Sequence, residues 1–213
     1  MVVASFDLDG TLADTHFDQI LWFKAIPEAY ARKQGMPFPE ALDHCKRAYD
    51  LESDASLRWY DVNHWLALFG LESEKKHLLE GSPRLSRLFP DAIPALESLK
   101  SRGCRIIIFS GAMHEFIRLK LQEDFLEEYF EGVYSATEDF KSVKKEAPVF
   151  SALCERLGVS PEELWHVGNN HLFDYQAPRS LGVNAFYLDR EKNEKGEHVV
   201  HDLKEFAAKV LEC

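Results

Sequence analysis

The chain is poor in cysteine, has no excess of positive charge and contains no long apolar run. Cys45, Cys104, Cys154 and Cys213 stand far apart and form no Cys-x-x-Cys pair. That spacing points to neither a zinc site nor a disulfide framework, so a reducing cytoplasm is the expected compartment. No apolar stretch approaches the roughly 20 residues that a membrane-spanning helix needs, so no membrane partner is expected. The 25 lysines and arginines face 36 aspartates and glutamates, a formal charge of -11. A nucleic-acid binder needs a basic surface for phosphate contacts, so nucleic acid is not an expected partner. A small anion is not excluded, because a local site can be positive on an acidic protein. The N-terminus lacks a basic segment and meets Asp7 almost at once, which predicts no secretion signal.

What is present is ordinary in bulk and unusual at one end. A length of 213 residues with 46% hydrophobic and 29% charged residues fits a globular protein of one core domain with an insertion, or two small domains. The first apolar run, Val2 to Phe6, reads as a buried strand and leads directly into Asp7-Leu8-Asp9-Gly10-Thr11-Leu12-Ala13-Asp14. Side chains alternate along a strand, so Asp7 and Asp9 project to the same side. Two carboxylates held together repel each other and require a cation or a shared proton. Gly10 permits a backbone turn at that point. An isolated Asp-x-Asp-Gly is most often a polar turn; Thr11, Leu12 and Asp14 in register behind an apolar strand make a functional site the better reading.

After Asp14 the pattern becomes helical. Helices are predicted from Phe17 to about Gln34 with a kink or division at Pro27, from Pro39 through Tyr49, from about Asp54 to Phe69, and from about Ser73 to Leu79. Residues 15–85 therefore read as an all-helical unit rich in aromatics, with Trp22, Trp59, Tyr60 and Trp65 mainly in its core. Residues 86–213 alternate helices and strands. Strands are expected at 105–109, 132–135, 164–167 and 185–188. Helices are expected at 91–102, 113–129 in two pieces, 148–157, 174–181 and 202–211, with a charged loop at 190–198. Residues 1–14 supply the first strand of this core. Such alternation implies an α/β, Rossmann-like doubly wound parallel sheet, and ligands in that architecture gather beyond the carboxyl ends of the strands.

Those strand ends bring Asp7 and Asp9, Ser110-Gly111, and Gly168-Asn169-Asn170 with Asp174 to one edge, with Lys144 and Lys145 just before the helix leading into the fourth strand. His16, His114 and His171 also lie near strand ends, but a lone histidine is more often structural, and none is promoted.

In this order the segments resemble the four motifs of the haloacid dehalogenase superfamily, in the phosphatase branch that carries a helical cap between the first and second motifs. Asp7 to Asp14 is similar to the first motif, Ile107 to Gly111 to the second, Lys144 with Phe150 to the third, and Gly168-Asn169 through Asp174 to the fourth. The resemblance implies that Asp7 attacks phosphorus and that Asp9 is the general acid and base. It places Thr11, Ser110, Gly111 and Lys144 about the substrate phosphate; the spacing to Phe150 favours Lys144 over Lys145. It implies Mg²⁺, held by the Asp7 carboxylate, the Asp9 carbonyl, Asn169 and Asp174. The expected substrate is a small phosphorylated metabolite. Departures from the pattern are Asn169 where an aspartate is usual, Lys145 where a proline is usual, and no asparagine after Ser110. The alternatives are a dehalogenase proper, which needs no metal and usually lacks an acid at the Asp9 position, a phosphoryl-transferring mutase, and a member that binds a phosphorylated ligand without turnover. No oligomeric state follows from the sequence.

Overall fold

The computed structural model describes residues 2–53, 55–81, 87–121, 125 and 128–212. The expected helix start at Asp54, the segment Ser82-Pro83 with the 85/86 boundary, the middle of the helix expected at 113–129, and Cys213 lie outside the described residues. The chain divides into two compact units, Met1–Asp14 with Leu88–Cys213, and Thr15–Arg87.

The first unit is built on a six-stranded, all-parallel sheet. Its strands are β1 (Val3–Phe6), β2 (Arg105–Ser110), β3 (Gly132–Ser135), β4 (Leu164–Gly168), β5 (Asn184–Leu188) and β6 (Val199–Val200), in the order β3-β2-β1-β4-β5-β6. Strand order reverses at β1, which pairs with β2 on one side and β4 on the other. That reversal is the topological switch point where open α/β sheets place ligands.

Alternation along β1 separates two cores. Ala4, Phe6 and Leu8 join Ile106, Ile108 and Val167 beneath the helices Ala92–Ser101 and Leu203–Leu211. Val3 turns the other way and joins Ile107, Phe109 and Leu164 beneath the helix Ala147–Leu157, which contributes Phe150, Leu153 and Cys154. Ser5 and His166, paired in register on β1 and β4, are buried polar residues in the middle of this sheet.

Several elements differ from the sequence-based expectation. β6 falls between the expected charged loop and the last helix; two residues are too few to show a period. It is set by parallel pairing of Val199 and Val200 with Tyr187 and Leu188. The helix expected over 54–69 is broken into Leu57–Tyr60 and Val62–Phe69, because Asp61 leaves helical geometry and its carboxylate accepts the Asn63 N–H at 2.9 Å, capping the second piece. The helix expected from 174 begins at His171, where Asn170 Oδ1 accepts from the N–H groups of Leu172 and Phe173 at 3.1 and 2.9 Å. The division expected at Pro27 takes the form of a wide helical turn over Leu21–Ala25, just before the helix Ile26–Gln34.

The helical unit, Thr15–Arg87, has its own aromatic core. Tyr49 meets Trp65 edge-on at 4.8 Å and Phe69 at 6.0 Å, and Trp65 Nε1 donates to the Trp59 carbonyl at 3.0 Å. Trp65 is buried, but Trp59 is 39% exposed and is not a core residue. Among the described residues no helix is long and apolar enough to cross a membrane.

Phe206 ties the last helix to the sheet, packing edge-on against Phe6 at 5.3 Å and against Phe186 at 5.8 Å, with no exposed surface. Phe206→Ala is expected to lower the unfolding free energy by about 3–5 kcal/mol, and Phe206→Leu by much less. Urea unfolding of the two variants measures the difference.

Candidate active site

The site lies where β1 leaves the sheet. The Asp7 N–H still donates to the Val167 carbonyl at 2.9 Å, so Asp7 is held by β4 although the strand has ended. The chain then folds tightly, and the Leu8 carbonyl accepts from Thr11, Leu12 and Ala13 at 3.2, 2.9 and 3.0 Å. Gly10 makes this turn with φ 77°, a region that residues with a Cβ seldom adopt. A Cβ there would also overlap the side-chain amide of Asn169. Arg190 pins the loop from outside: its Nη2 donates to the Thr11 carbonyl at 2.6 Å, and its Nη1 reaches both Asp91 carboxylate oxygens at 3.1 and 3.0 Å.

Lys145 is the centre of the arrangement. Its ammonium donates to Asp7 Oδ1 at 2.6 Å and to the Phe109 carbonyl at 3.2 Å, and lies 2.5 Å from Asp174 Oδ1. The two carboxylate oxygens therefore lie within about 5 Å of each other. This corrects the expectation for Lys144, whose ammonium instead lies over the Phe173 ring at 5.8 Å. Adjacent residues of a non-helical segment point in different directions, so one of the two lysines is directed inward. Spacing to Phe150 indicated the wrong one.

Asp174 is fixed on every side. Its Oδ2 accepts from the Asn170 N–H at 2.9 Å, and its Oδ1 lies 3.3 Å from His166 Nε2. His166 Nδ1 is 2.9 Å from the Ser5 hydroxyl. A carboxylate only accepts, so Nε2 carries a proton and the neutral ring's Nδ1 accepts from Ser5. Gly168 is required because a Cβ there would overlap the Asp174 carboxyl carbon.

The other expected residues are placed as follows. Thr11 Oγ1 is buried and donates to Asp7 Oδ2 at 3.3 Å. Ser110 is buried, and its hydroxyl accepts from the Ala112 N–H at 3.1 Å, so it shapes the turn after β2. The Gly111 carbonyl accepts from the Thr137 hydroxyl at 3.1 Å. Asn169 is exposed, with its amide against Gly10. Asp9 is half-buried, and its Oδ1 accepts from Lys120 Nζ at 2.6 Å.

Lys120 and His166 were not anticipated. The signal for Lys120 was its place in a helical stripe with Phe116, Ile117 and Leu121, where an apolar residue is expected. The signal for His166 was a polar side chain inside a strand otherwise buried throughout. By contrast, His114 pairs with Asp139 at 2.9 Å, and the His171 ring rests against Tyr175 and Tyr187.

Burial opposes charge on each of these groups, and their mutual attraction decides the outcome. For Lys145, burial alone would depress the ammonium, but Asp174 and Asp7 outweigh it and push its pKa up to about 12. For Asp174, burial is outweighed by Lys145 and then by His166, holding the carboxyl well below the usual range. Burial raises Asp7; Lys145 counteracts this and the Asp174 charge adds to it. Burial lowers His166, so the ring is neutral at pH 7.

The raised Lys145 value carries a stability consequence. The unfolded lysine titrates near 10.4, so this contribution is complete below that pH and is lost as the pH climbs through about 12. The shift corresponds to about 2 kcal/mol. The stability difference between wild type and Lys145→Met is expected to shrink by about that amount between pH 10 and 12, read by urea unfolding.

Comparison with known proteins places this arrangement. Residues 1–182 match the haloacid dehalogenase-like hydrolase family. The chain is 31% identical over 156 residues to the GMP/IMP nucleotidase YrfG of Escherichia coli (strain K12), covering 73% of this chain and 68% of that protein. It is 29% identical over 172 residues to the (S)-2-haloacid dehalogenase 4A of Burkholderia cepacia, covering 81% and 65%. The crystal structure of a HAD phosphatase from Thermococcus onnurineus superposes with a TM-score of 0.82 at 30% identity, over 99% of this chain and 98% of that one. From its first strand to the turn before its fifth, the chain belongs to the haloacid dehalogenase-like hydrolase family.

Proposed function

We propose that this protein is a Mg²⁺-dependent, cytoplasmic phosphatase that hydrolyses a small phosphorylated metabolite through a phosphorylated Asp7. The observation that carries the reading is the Lys145 ammonium bonded at once to Asp7 and Asp174. A carboxylate approaching a dianionic ester is opposed by roughly 4 kcal/mol for each pair of unit charges at 4 Å and an effective dielectric near 20. A fixed ammonium beside the nucleophile offsets part of that.

In the first step an Asp7 oxygen bonds to phosphorus as the ester P–O bond breaks, and Asp9 gives its proton to the departing oxygen. In the second, water attacks the phosphorus of the Asp7 acyl phosphate and Asp9 takes the proton. The bond from phosphorus to Asp7 then breaks, releasing inorganic phosphate and restoring the carboxylate. Thr11 and Lys145 orient Asp7 from two sides, so its approach is set before substrate arrives.

The residues present suit Mg²⁺. Asp7 and Asp174 supply two carboxylates, Asp9 a main-chain carbonyl and Asn169 an amide oxygen, all hard donors. Among the described residues no group of three or more His, Cys, Asp or Glu side chains forms a metal cluster. A set of two carboxylates completed by carbonyl, water and phosphate oxygens is the usual pattern for this ion. When bound, it supplies positive charge to the phosphoryl oxygens. The unit Thr15–Arg87, inserted between the segments bearing Asp7 and Ser110, is assigned the role of a cap that selects substrate.

Likeness to a dehalogenase supports a second reading, attack of Asp7 on a carbon bearing halide. Halide leaves without protonation and the substrate carries less charge, so that chemistry needs neither Asp9 nor a metal ion. Asp9, an acid placed to protonate a leaving oxygen, is built into this site, which favours the phosphoester.

Wild type is expected to hydrolyse an aryl phosphate, and GMP or IMP, only with Mg²⁺ present. Asp7→Asn is expected to lose at least about 10³-fold in kcat. Lys145→Met is expected to lose at least about 10²-fold, and Lys144→Met no more than about threefold. Phosphate release measures all of these. Chloride release from 2-chloropropionate without phosphate release from any ester would replace this reading with the dehalogenase one. Asn169→Asp adds a charged donor and is expected to lower the Mg²⁺ concentration for half activity by roughly 5- to 150-fold. An unchanged requirement would show that Asn169 does not hold the ion.

A further inference from the structure

We infer that Lys120 is a positioning residue for Asp9, fixing the acid–base carboxylate and so setting how well poor leaving groups are expelled; this rests on the phosphatase reading. Lys120 lies on the helix His114–Leu121, 111 residues from Asp9 in sequence. Its neighbours on the buried face are Phe116, Ile117 and Leu121. A leucine or methionine would suit that stripe, and burying an ammonium there costs free energy that a salt bridge seldom recovers in full. The Lys120 side chain is nevertheless wholly buried, and its ammonium meets Asp9 Oδ1 at 2.6 Å, while Asp9 keeps 30% of its side chain exposed. The cation is thus the hidden partner and the carboxylate the one turned toward solvent. That asymmetry suits a support held behind a working group.

The geometry distinguishes the two lysines. Lys145 bonds to the nucleophile and to Asp174, whereas Lys120 bonds to Asp9. A charge-assisted bond at one oxygen fixes the rotation of the whole carboxylate. Losing it removes one hold on the Asp9 carboxylate, so the orientation from which a proton reaches the departing oxygen is less populated. The first step would then suffer in proportion to the basicity of the leaving group. An aryl oxide departs without a proton; an alkoxide must receive one as its P–O bond breaks.

The test compares wild type with Lys120→Met, Lys120→Arg and Lys120→Gln on an activated aryl phosphate and on an alkyl phosphate. Lys120→Met is expected to lose at least about 30-fold in kcat/KM on the alkyl ester and no more than about threefold on the aryl ester, with Lys120→Arg recovering most of the loss. Equal losses on both esters, or none on either, would overturn the inference. Should the methionine variant not fold, Lys120→Gln is read by the same two criteria. A crystal structure of the variant supplies a readout independent of turnover. A rotated Asp9 carboxylate supports the role, and one unmoved from its wild-type orientation overturns it. Wild type inactive on both esters would instead overturn the phosphatase reading, leaving the crystallographic comparison to decide the role of Lys120.

Discussion

Two aspartates at neighbouring strand ends cannot both be ionised and buried unless a cation lies between them. Here that cation is Lys145, in contact with Asp7 and Asp174 at once. Much of the local structure serves this contact. The Phe109 carbonyl gives the ammonium a third acceptor, the Asn170 N–H and His166 hold Asp174, and Thr11 holds Asp7. Neither glycine at the rim tolerates a side chain, because the Asp174 carboxyl lies across Gly168 and the Asn169 amide across Gly10. The electrostatic shifts follow: one buried acid is held well below its usual range and the lysine above its own, each sustained by the other.

The scaffold explains why such a cluster is affordable. Asp7, Ser5 and Val3 share one face of β1 and its extension, above the core built from Phe109 and Phe150. His166 stands next to Ser5 on β4, with its ring 5.0 Å from Phe150 and 6.3 Å from Phe109. A neutral imidazole between a hydroxyl and a carboxylate satisfies three buried polar groups in one chain, which is what makes them tolerable within an apolar layer. The same stretch of sheet therefore supplies packing below and chemistry above.

Much of this was legible in the sequence, and the reasons are physical. Five of the six strands carry four to six residues each, mostly apolar, bounded by glycines, acids or helix starts, and such segments announce themselves. Asp7 and Asp9 were legible because acids directly after a buried strand need an explanation, and Asp174 through the likeness of Gly168 to Asp174 to a family motif. The remainder depends on contacts the chain does not encode locally. Nothing within Lys144-Lys145 says which ammonium turns inward; the path from Lys141, held at φ 53°, into the helix at Ala147 decides it. Lys120 falls in the apolar stripe of its helix, but nothing near it in sequence names its partner 111 residues away. Asp61 breaks a helix that its neighbours would have continued, because its side chain competes for the backbone.

The charge count gives Asn169 a physical place in this scheme. With Asp9 in its ionised, base form, Asp7, Asp9 and Asp174 bring three negative charges, and Lys120 and Lys145 return two, leaving one. An aspartate at position 169 would leave two, and each added charge near 4 Å opposes a phosphate oxygen by roughly the same 4 kcal/mol that it would lend to a cation. Replacing the acid with an amide therefore exchanges metal affinity for a weaker repulsion of the dianion. Under the phosphatase reading, two buried lysines and an amide at position 169 shift the charge balance in the same direction, toward a site less negative to an incoming anion. A site organised that way is sensitive above all to its two buried ammonium groups, each held against the carboxylates it neutralises.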